Sequence, residues 1–305
     1  MEATLRHVGS PVTLRGVYIP LITPFASDGS VALDAIERLA NDYLDAGCTG
    51  LVPLGTTGES TSLEAGEKQA VLDVCSRVCV ERGAQMIVGG GTNNTAATIT
   101  AVESLRDLRG ATAAMCVVPY YVRPSQGGIV AHFQEIAQRS PVPVVVYNIP
   151  SRTGRLLEAE GLLELARTPN VAGVKQATPL DPDTMAVLAG APDDFSILGG
   201  EDPYLFPLVL LGARGAICAT AHVCTERFVA MIECALAGKV DEGREHHEAL
   251  APVIAAGFSE PNPAVFKGVL HAAGRIPTPD LRLPMTPASP GAIEGLQAAI
   301  DRASG

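Results

Sequence analysis

Short apolar segments alternate with amphipathic stretches along most of this chain, and that alternation restricts it more than any other feature. Strand-like runs are predicted at 17–23, 50–54, 85–89, 113–118, 142–147, 171–175, 196–199 and 215–219. Helix-like stretches at 33–46, 63–82, 95–108, 127–138, 156–166, 182–189, 203–211 and 226–237 fill the gaps. Continuous apolar runs of this length suit strands buried on both faces, and strand–helix alternation calls for a parallel sheet. Eight units of about 25–35 residues each are what an α/β chain needs to close a (β/α)8 TIM barrel. Three further helical stretches, 241–256, 262–273 and 292–302, follow with Pro-rich connectors between them. The expected organisation is a catalytic barrel over 1–238 and a C-terminal three-helix appendage over 239–305, which either packs on the barrel or meets another subunit.

Composition narrows the partners. A net charge of −11 with no basic stripe argues against nucleic acid and anionic membrane, which need clustered Lys and Arg. Residues 1–12 lack the apolar core of a signal peptide, and the apolar runs are too short to span a bilayer, so the expectation is a soluble cytoplasmic protein. Cys75, Cys79, Cys116 and Cys218 lie in apolar patterns that suit reduced, buried thiols, and no His accompanies the Cys75/Cys79 pair as a zinc site would require. Neither GxGxxG nor a P-loop is present, so no cofactor is expected.

In a barrel of this kind, chemistry collects at the C-terminal ends of the strands. Three predicted strands end in polar clusters: Gly55-Thr56-Thr57-Gly58-Glu59-Ser60, Tyr147-Asn148-Ile149-Pro150-Ser151-Arg152-Thr153-Gly154, and Lys175 after Val171-Ala172-Gly173-Val174. Thr56, Thr57, Tyr120, Tyr121, Tyr147, Arg152, Lys175, Gly200, Glu201 and Ile217 would then share one rim. Of the four lysines, Lys68, Lys239 and Lys267 sit in or beside helical stretches where a charge can face water, and Lys175 alone ends a strand. A desolvated lysine loses its proton more readily and can attack a ketone to form a Schiff base. The bland alternative is a lysine whose stem covers apolar surface while its head reaches solvent. Tyr147 on the adjacent strand can shuttle protons or be an ordinary interface tyrosine. The Gly-Thr-Thr-Gly-Glu-Ser turn leads into a helix, where its N–H groups and hydroxyls can hold a carboxylate or simply cap that helix. Arg152 can clamp a second carboxylate or lie on the surface. His222 reads as support for the eighth-strand loop.

These motifs, with PYYVRPSQ at 119–126, GVK at 173–175, EPNP at 260–263 and LRLPMTP at 281–287, resemble the dihydrodipicolinate synthase and N-acetylneuraminate lyase family of pyruvate-dependent class I aldolases from end to end. The resemblance implies that Lys175 forms the imine with pyruvate and that Tyr147 transfers protons. It implies that Thr57 links Tyr147 to Tyr121, with Tyr121 supplied by a neighbouring subunit of a dimer at least and usually a tetramer, a dimer of dimers. Thr56 and Thr57 would meet the pyruvate carboxylate, Arg152 the carboxylate of aspartate semialdehyde, and Gly200 and Ile217 would offer carbonyls near the lysine. An arginine in YN-x-P-x-R-x-G points to the synthase branch, so the implied reaction joins pyruvate to L-aspartate 4-semialdehyde, giving 4-hydroxy-tetrahydrodipicolinate for diaminopimelate and lysine biosynthesis.

The sequence also departs from that pattern. Gln176-Ala177-Thr178-Pro179 replaces the usual Glu-Ala run and is expected to alter the wall behind the imine. Gly89-Gly90-Gly91-Thr92-Asn93-Asn94 and Gly199-Gly200-Glu201-Asp202 are also unusual and are expected to bear on the second substrate. Ala65, Lys68 and Thr98 stand where lysine-inhibited relatives carry two histidines and a glutamate, which speaks against feedback by lysine. The competing readings are a related aldolase or dehydratase acting on a sugar acid or other aldehyde through the same imine, and a catalytically silent barrel kept for binding. A metal-dependent aldolase would need clustered ligands at strand ends, and none is found.

Overall fold

The structure, a computed structural model, describes residues 12–304; the first eleven residues and Gly305, which complete the two expected domain ranges, lie outside them. Among the described residues, eight parallel strands close in chain order, β1 (Gly16–Ile19), β2 (Gly50–Leu51), β3 (Gln85–Gly89), β4 (Ala111–Val117), β5 (Val144–Asn148), β6 (Val171–Gln176), β7 (Ser196–Gly199) and β8 (Gly215–Ile217), with β8 pairing back to β1. The helices on the way are α1 (Leu33–Asp45), α2 (Ala65–Arg82), α3 (Thr95–Glu103), α4 (Gln126–Arg139), α5 (Pro150–Thr153), α6 (Ala159–Leu165), α7 (Pro182–Gly190), α8 (Leu205–Leu210) and α9 (Thr225–Leu236). Beyond the barrel come α10 (Val240–Gly257), α11 (Ala264–Ala272) and α12 (Pro290–Ser304). No helix among them is long and apolar enough to cross a membrane.

Side-chain alternation along the strands sorts the core into layers. On β5, Val144 and Val146 face outward and pack against the helices, whereas Val145 and Tyr147 point into the barrel. The inner cluster also holds Tyr18, Val52, Ile87, Met115, Leu198 and Ile217, so the barrel is a packed core, open only where its inward residues reach the strand ends. A third cluster joins α10, α11 and α12 through Val253, Phe266 and Leu296, with Ala219 and Val223 of the loop after β8 packed into it. That contact brings the start of α11 over the mouth of the barrel.

β1 and β2 stop well short of their apolar runs. β1 ends at Ile19 and β2 at Leu51, and each is followed within two residues by a proline, Pro20 or Pro53, which has no N–H to continue a ladder. The Thr56-Thr57 turn is not the cap of a long helix. Thr56–Gly58 and Ser60–Ser62 are separate 3-10 turns, and α2 begins only at Ala65, where Glu64 and Glu67 form a reciprocal capping box. The single turn α5 interrupts a stretch expected to be loop. Pro150 starts it and Gly154, at φ 69°, ends it.

Candidate active site

Tyr147 and Lys175 are register partners on β5 and β6, and both are 6 % exposed. Neighbouring register on one face of a parallel sheet places their side chains together, and Lys175 Nζ lies 4.4 Å from the centroid of the Tyr147 ring. A cavity of about 280 Å³ opens over them, lined by Thr56, Thr57, Arg152, Gly200, Glu201 and Ile217 among others. A second cavity of about 570 Å³ shares the wall formed by Thr56, Tyr147, Ile149 and Arg152, then runs past Lys68, Gly90, Thr92 and Tyr120.

The neighbours of Lys175 determine its placement. A Cβ on Gly200 would come within 2.8 Å of Lys175 Cε and 2.9 Å of Cγ, so only glycine at the end of β7 leaves room for the amine stem. The Gly200 N–H is itself fixed by the Gln176 carbonyl at 2.8 Å. Across the cavity, Thr56 and Thr57 open a 3-10 turn, so their backbone N–H groups precede its first internal bond, from Gly58 to Gly55, and can meet an anion. Arg152 stands in α5, where the two cavities join.

The structure gathers Thr56, Thr57, Tyr147, Arg152, Lys175, Gly200 and Ile217 around one cavity and leaves Tyr121 outside it. Tyr121 is 88 % exposed and holds φ at 70°, a strained value for a tyrosine. The Thr57 hydroxyl accepts a hydrogen bond from Asn262 Nδ2 at 3.0 Å, a contact that sequence reasoning missed. Gln176 does not form the wall behind the amine, as the sequence suggested. Its side chain alternates away from Lys175 into a buried amide and hydroxyl network, accepting from Asn148 Nδ2 at 3.2 Å and donating to Thr178 at 2.9 Å and Thr184 at 3.1 Å. The Gly89-Gly90-Gly91 run lines the larger cavity and is absent from the lining of the Lys175 cavity.

His222 is fully buried beneath the mouth, where its Nε2 accepts the Ile22 N–H at 3.2 Å and Nδ1 donates to the Ala219 carbonyl at 2.8 Å. Burial holds its imidazole down at about 4, so it stays neutral and structural. Lys267 overturns the expectation that it faces water. It is fully buried, with Nζ 2.8 Å from Glu59 Oε1 and 2.9 Å from the Thr23 carbonyl. The partner on which this pairing depends is 208 residues away in sequence, which is why helical position alone misled. Among the described residues, no cluster of His, Cys, Asp and Glu suited to a metal ion occurs.

A model of the dihydrodipicolinate synthetase family matches residues 13–303. The chain is 40 % identical over 280 residues to 4-hydroxy-tetrahydrodipicolinate synthase of Moorella thermoacetica, covering 92 % of this chain and 95 % of that protein. Among solved structures it resembles dihydrodipicolinate synthase from Thermotoga maritima, with a TM-score of 0.90 at 33 % identity over 95 % of this chain and 98 % of that one. It also resembles the chloride-inhibited dihydrodipicolinate synthase from Acinetobacter baumannii complexed with pyruvate, with a TM-score of 0.92 at 32 % identity over 96 % of this chain and 99 % of that one.

Proposed function

The chain belongs to the dihydrodipicolinate synthetase family, and from that membership and the site geometry we propose that it condenses pyruvate with L-aspartate 4-semialdehyde to 4-hydroxy-tetrahydrodipicolinate, the entry to diaminopimelate and lysine. One observation carries the residue roles: the Lys175 amine lies 4.4 Å from the Tyr147 ring, in a cavity that Arg152 and the Thr56 turn also line.

In this mechanism the neutral Lys175 amine attacks the pyruvate ketone, and the Tyr147 hydroxyl relays the protons that expel water from the carbinolamine. The N–H groups and hydroxyls of Thr56 and Thr57 hold the pyruvate carboxylate. Loss of a methyl proton gives an enamine, whose carbon attacks the aldehyde of the second substrate. Arg152 orients that substrate through its carboxylate, where a guanidinium fork binds two oxygens at once. The substrate nitrogen then attacks the imine carbon, which closes the ring and releases Lys175. Gly200 and Ile217 contribute carbonyls near the lysine.

An exposed tyrosine on a strained backbone supports a further part of the reading: Tyr121 completes the site of a second copy by joining Thr57 and Tyr147, in a tetramer built as a dimer of dimers. Buried thiols such as Cys75, Cys116 and Cys218, all free, support a cytoplasmic setting. Borohydride reduction with pyruvate followed by peptide mass spectrometry tests the chemistry, and turnover of aspartate semialdehyde tests the substrate. A pyruvyl adduct on Lys175 with turnover is expected. An adduct without turnover would transfer the same imine chemistry to another aldehyde, and folded protein without an adduct would end the Schiff-base reading.

A further inference from the structure

The turn after β7 presents two consecutive acids, and only one of them is engaged by the protein. Asp202 is buried, and its Oδ2 accepts the Thr220 N–H at 2.8 Å and the Thr220 hydroxyl at 2.6 Å, which ties β7 to the loop after β8. Glu201 lines the Lys175 cavity together with Arg152. Among the described residues, no backbone or side-chain group donates a hydrogen bond to its carboxylate. A half-buried carboxylate without a donor in a substrate cavity has unused acceptor capacity.

The reaction proposed above, on which this inference rests, contains a step with no residue yet assigned. L-Aspartate 4-semialdehyde carries an α-ammonium beside the carboxylate that Arg152 takes. An ammonium has no lone pair, so the nitrogen must lose a proton before it can attack the imine carbon. We propose that Glu201 binds the ammonium of the second substrate and accepts its proton during ring closure, so that this residue selects an amino-aldehyde over an aldehyde without the amine. The N–H bond breaks toward the Glu201 carboxylate, which becomes the carboxylic acid. The freed lone pair then forms the C–N bond to the carbon of the protonated imine, and the C=N electron pair goes to the lysine nitrogen. One further proton passes from the ring nitrogen to that departing nitrogen, and the bond to Lys175 breaks. The products are the cyclic iminium, neutral Lys175 and protonated Glu201, with charge and protons conserved.

Burial, reinforced by the neighbouring Asp202 charge, raises the Glu201 carboxyl above its ordinary range, while Lys175 and Arg152 draw it back down. A half-buried carboxylate with raised proton affinity, in the same cavity as the Arg152 that takes the substrate carboxylate, is suited to hold the adjacent ammonium and then take its proton.

The test compares wild type, Glu201→Gln and Glu201→Asp on L-aspartate 4-semialdehyde and on succinic semialdehyde, which keeps the carboxylate and aldehyde but lacks the amine. The second compound is followed as turnover or as inhibition of the first. For Glu201→Gln, kcat/KM on aspartate semialdehyde is expected to fall about 100-fold, the usual cost of losing a positioned proton acceptor. Succinic semialdehyde should be handled within about twofold of wild type, the borohydride-trapped pyruvate adduct should form at the wild-type rate, and Glu201→Asp should recover part of the loss. Equal losses on both aldehydes, no loss on either, or a slowed adduct would overturn the role of Glu201. Wild type that traps pyruvate but does not turn over aspartate semialdehyde would instead remove the reaction on which the inference depends.

Discussion

Lys267 on α11 and Glu59 in the turn after β2 form an ion pair of 2.8 Å with both side chains out of solvent, and it locks the C-terminal helices onto the loop that carries Thr57. Glu59 sits at φ 51°, a left-handed value that leaves this short segment reliant on its contacts. Its second oxygen, Oε2, accepts the Arg282 N–H at 3.0 Å, and the Lys267 ammonium lies 4.2 Å from the Phe25 ring centroid. The threonine turn is thus held from the far end of the chain.

Lys267→Met should be strongly destabilising, because it leaves the Glu59 carboxylate buried without a counter-charge. Breaking one side of such a pair costs about 3–5 kcal/mol. Urea unfolding is the measurement, and the double variant Lys267→Met/Glu59→Leu should recover much of the loss. A single variant as stable as wild type would mean that the pair is not sustaining this contact.

Asn262→Ala separates positioning from folding. Asn262 Nδ2 donates to the Thr57 hydroxyl oxygen at 3.0 Å, which leaves the hydroxyl hydrogen free to point into the cavity. With that donor gone the hydroxyl can rotate, and loss of a bond of about 1 kcal/mol corresponds to a fall in kcat of about fivefold. Steady-state kinetics should show that fall with little change in the unfolding midpoint.

The barrel was legible because each strand is a run of apolar residues bounded by polar or Gly/Pro punctuation, a local signal. So was the pairing of Tyr147 with Lys175, since both occupy the last inward positions of adjacent strands. What escaped depends on distance or on parity. Lys267 reads as a helix-surface residue until Glu59 is brought to it, and Asn262 reads as part of a Pro-rich connector until α11 sits over the barrel mouth. Gln176 follows Lys175 directly, yet one residue along a strand reverses the side chain, so it faces α7 instead of the substrate. Tyr121 is proposed as a functional tyrosine only through family resemblance, because its own chain leaves it exposed outside the cavity.

Glu67 provides a pH-dependent handle on the same region. Arg282 grips its carboxylate, with Nη1 2.6 Å from Oε2, and this pairing holds Glu67 down at about 2 against an ordinary value of 4.5. A carboxylate depressed in the folded state contributes stability above its unfolded value, and that contribution disappears as pH falls from about 4.5 to about 2. Glu67→Gln should therefore be less stable than wild type at pH 7, with the two converging across that acid window in urea titrations. A difference that stays constant down to the lower limit would assign the effect to packing.

Gly200→Ala tests whether the end of β7 positions the nucleophile. The added Cβ would come within 2.8 Å of Lys175 Cε and 3.1 Å of the Ala177 Cβ, so the amine stem must move aside while the strand stays paired. Overpacking of this kind costs about 1–3 kcal/mol, so the protein should still fold. A misplacement on the order of 1 Å at a reacting group can cost about 100-fold in rate. The rate of pyruvate adduct formation, trapped with borohydride over a time course, should fall by about that factor while the unfolding midpoint moves modestly. An adduct rate equal to wild type would show that Lys175 reaches its substrate by a path that Gly200 does not confine.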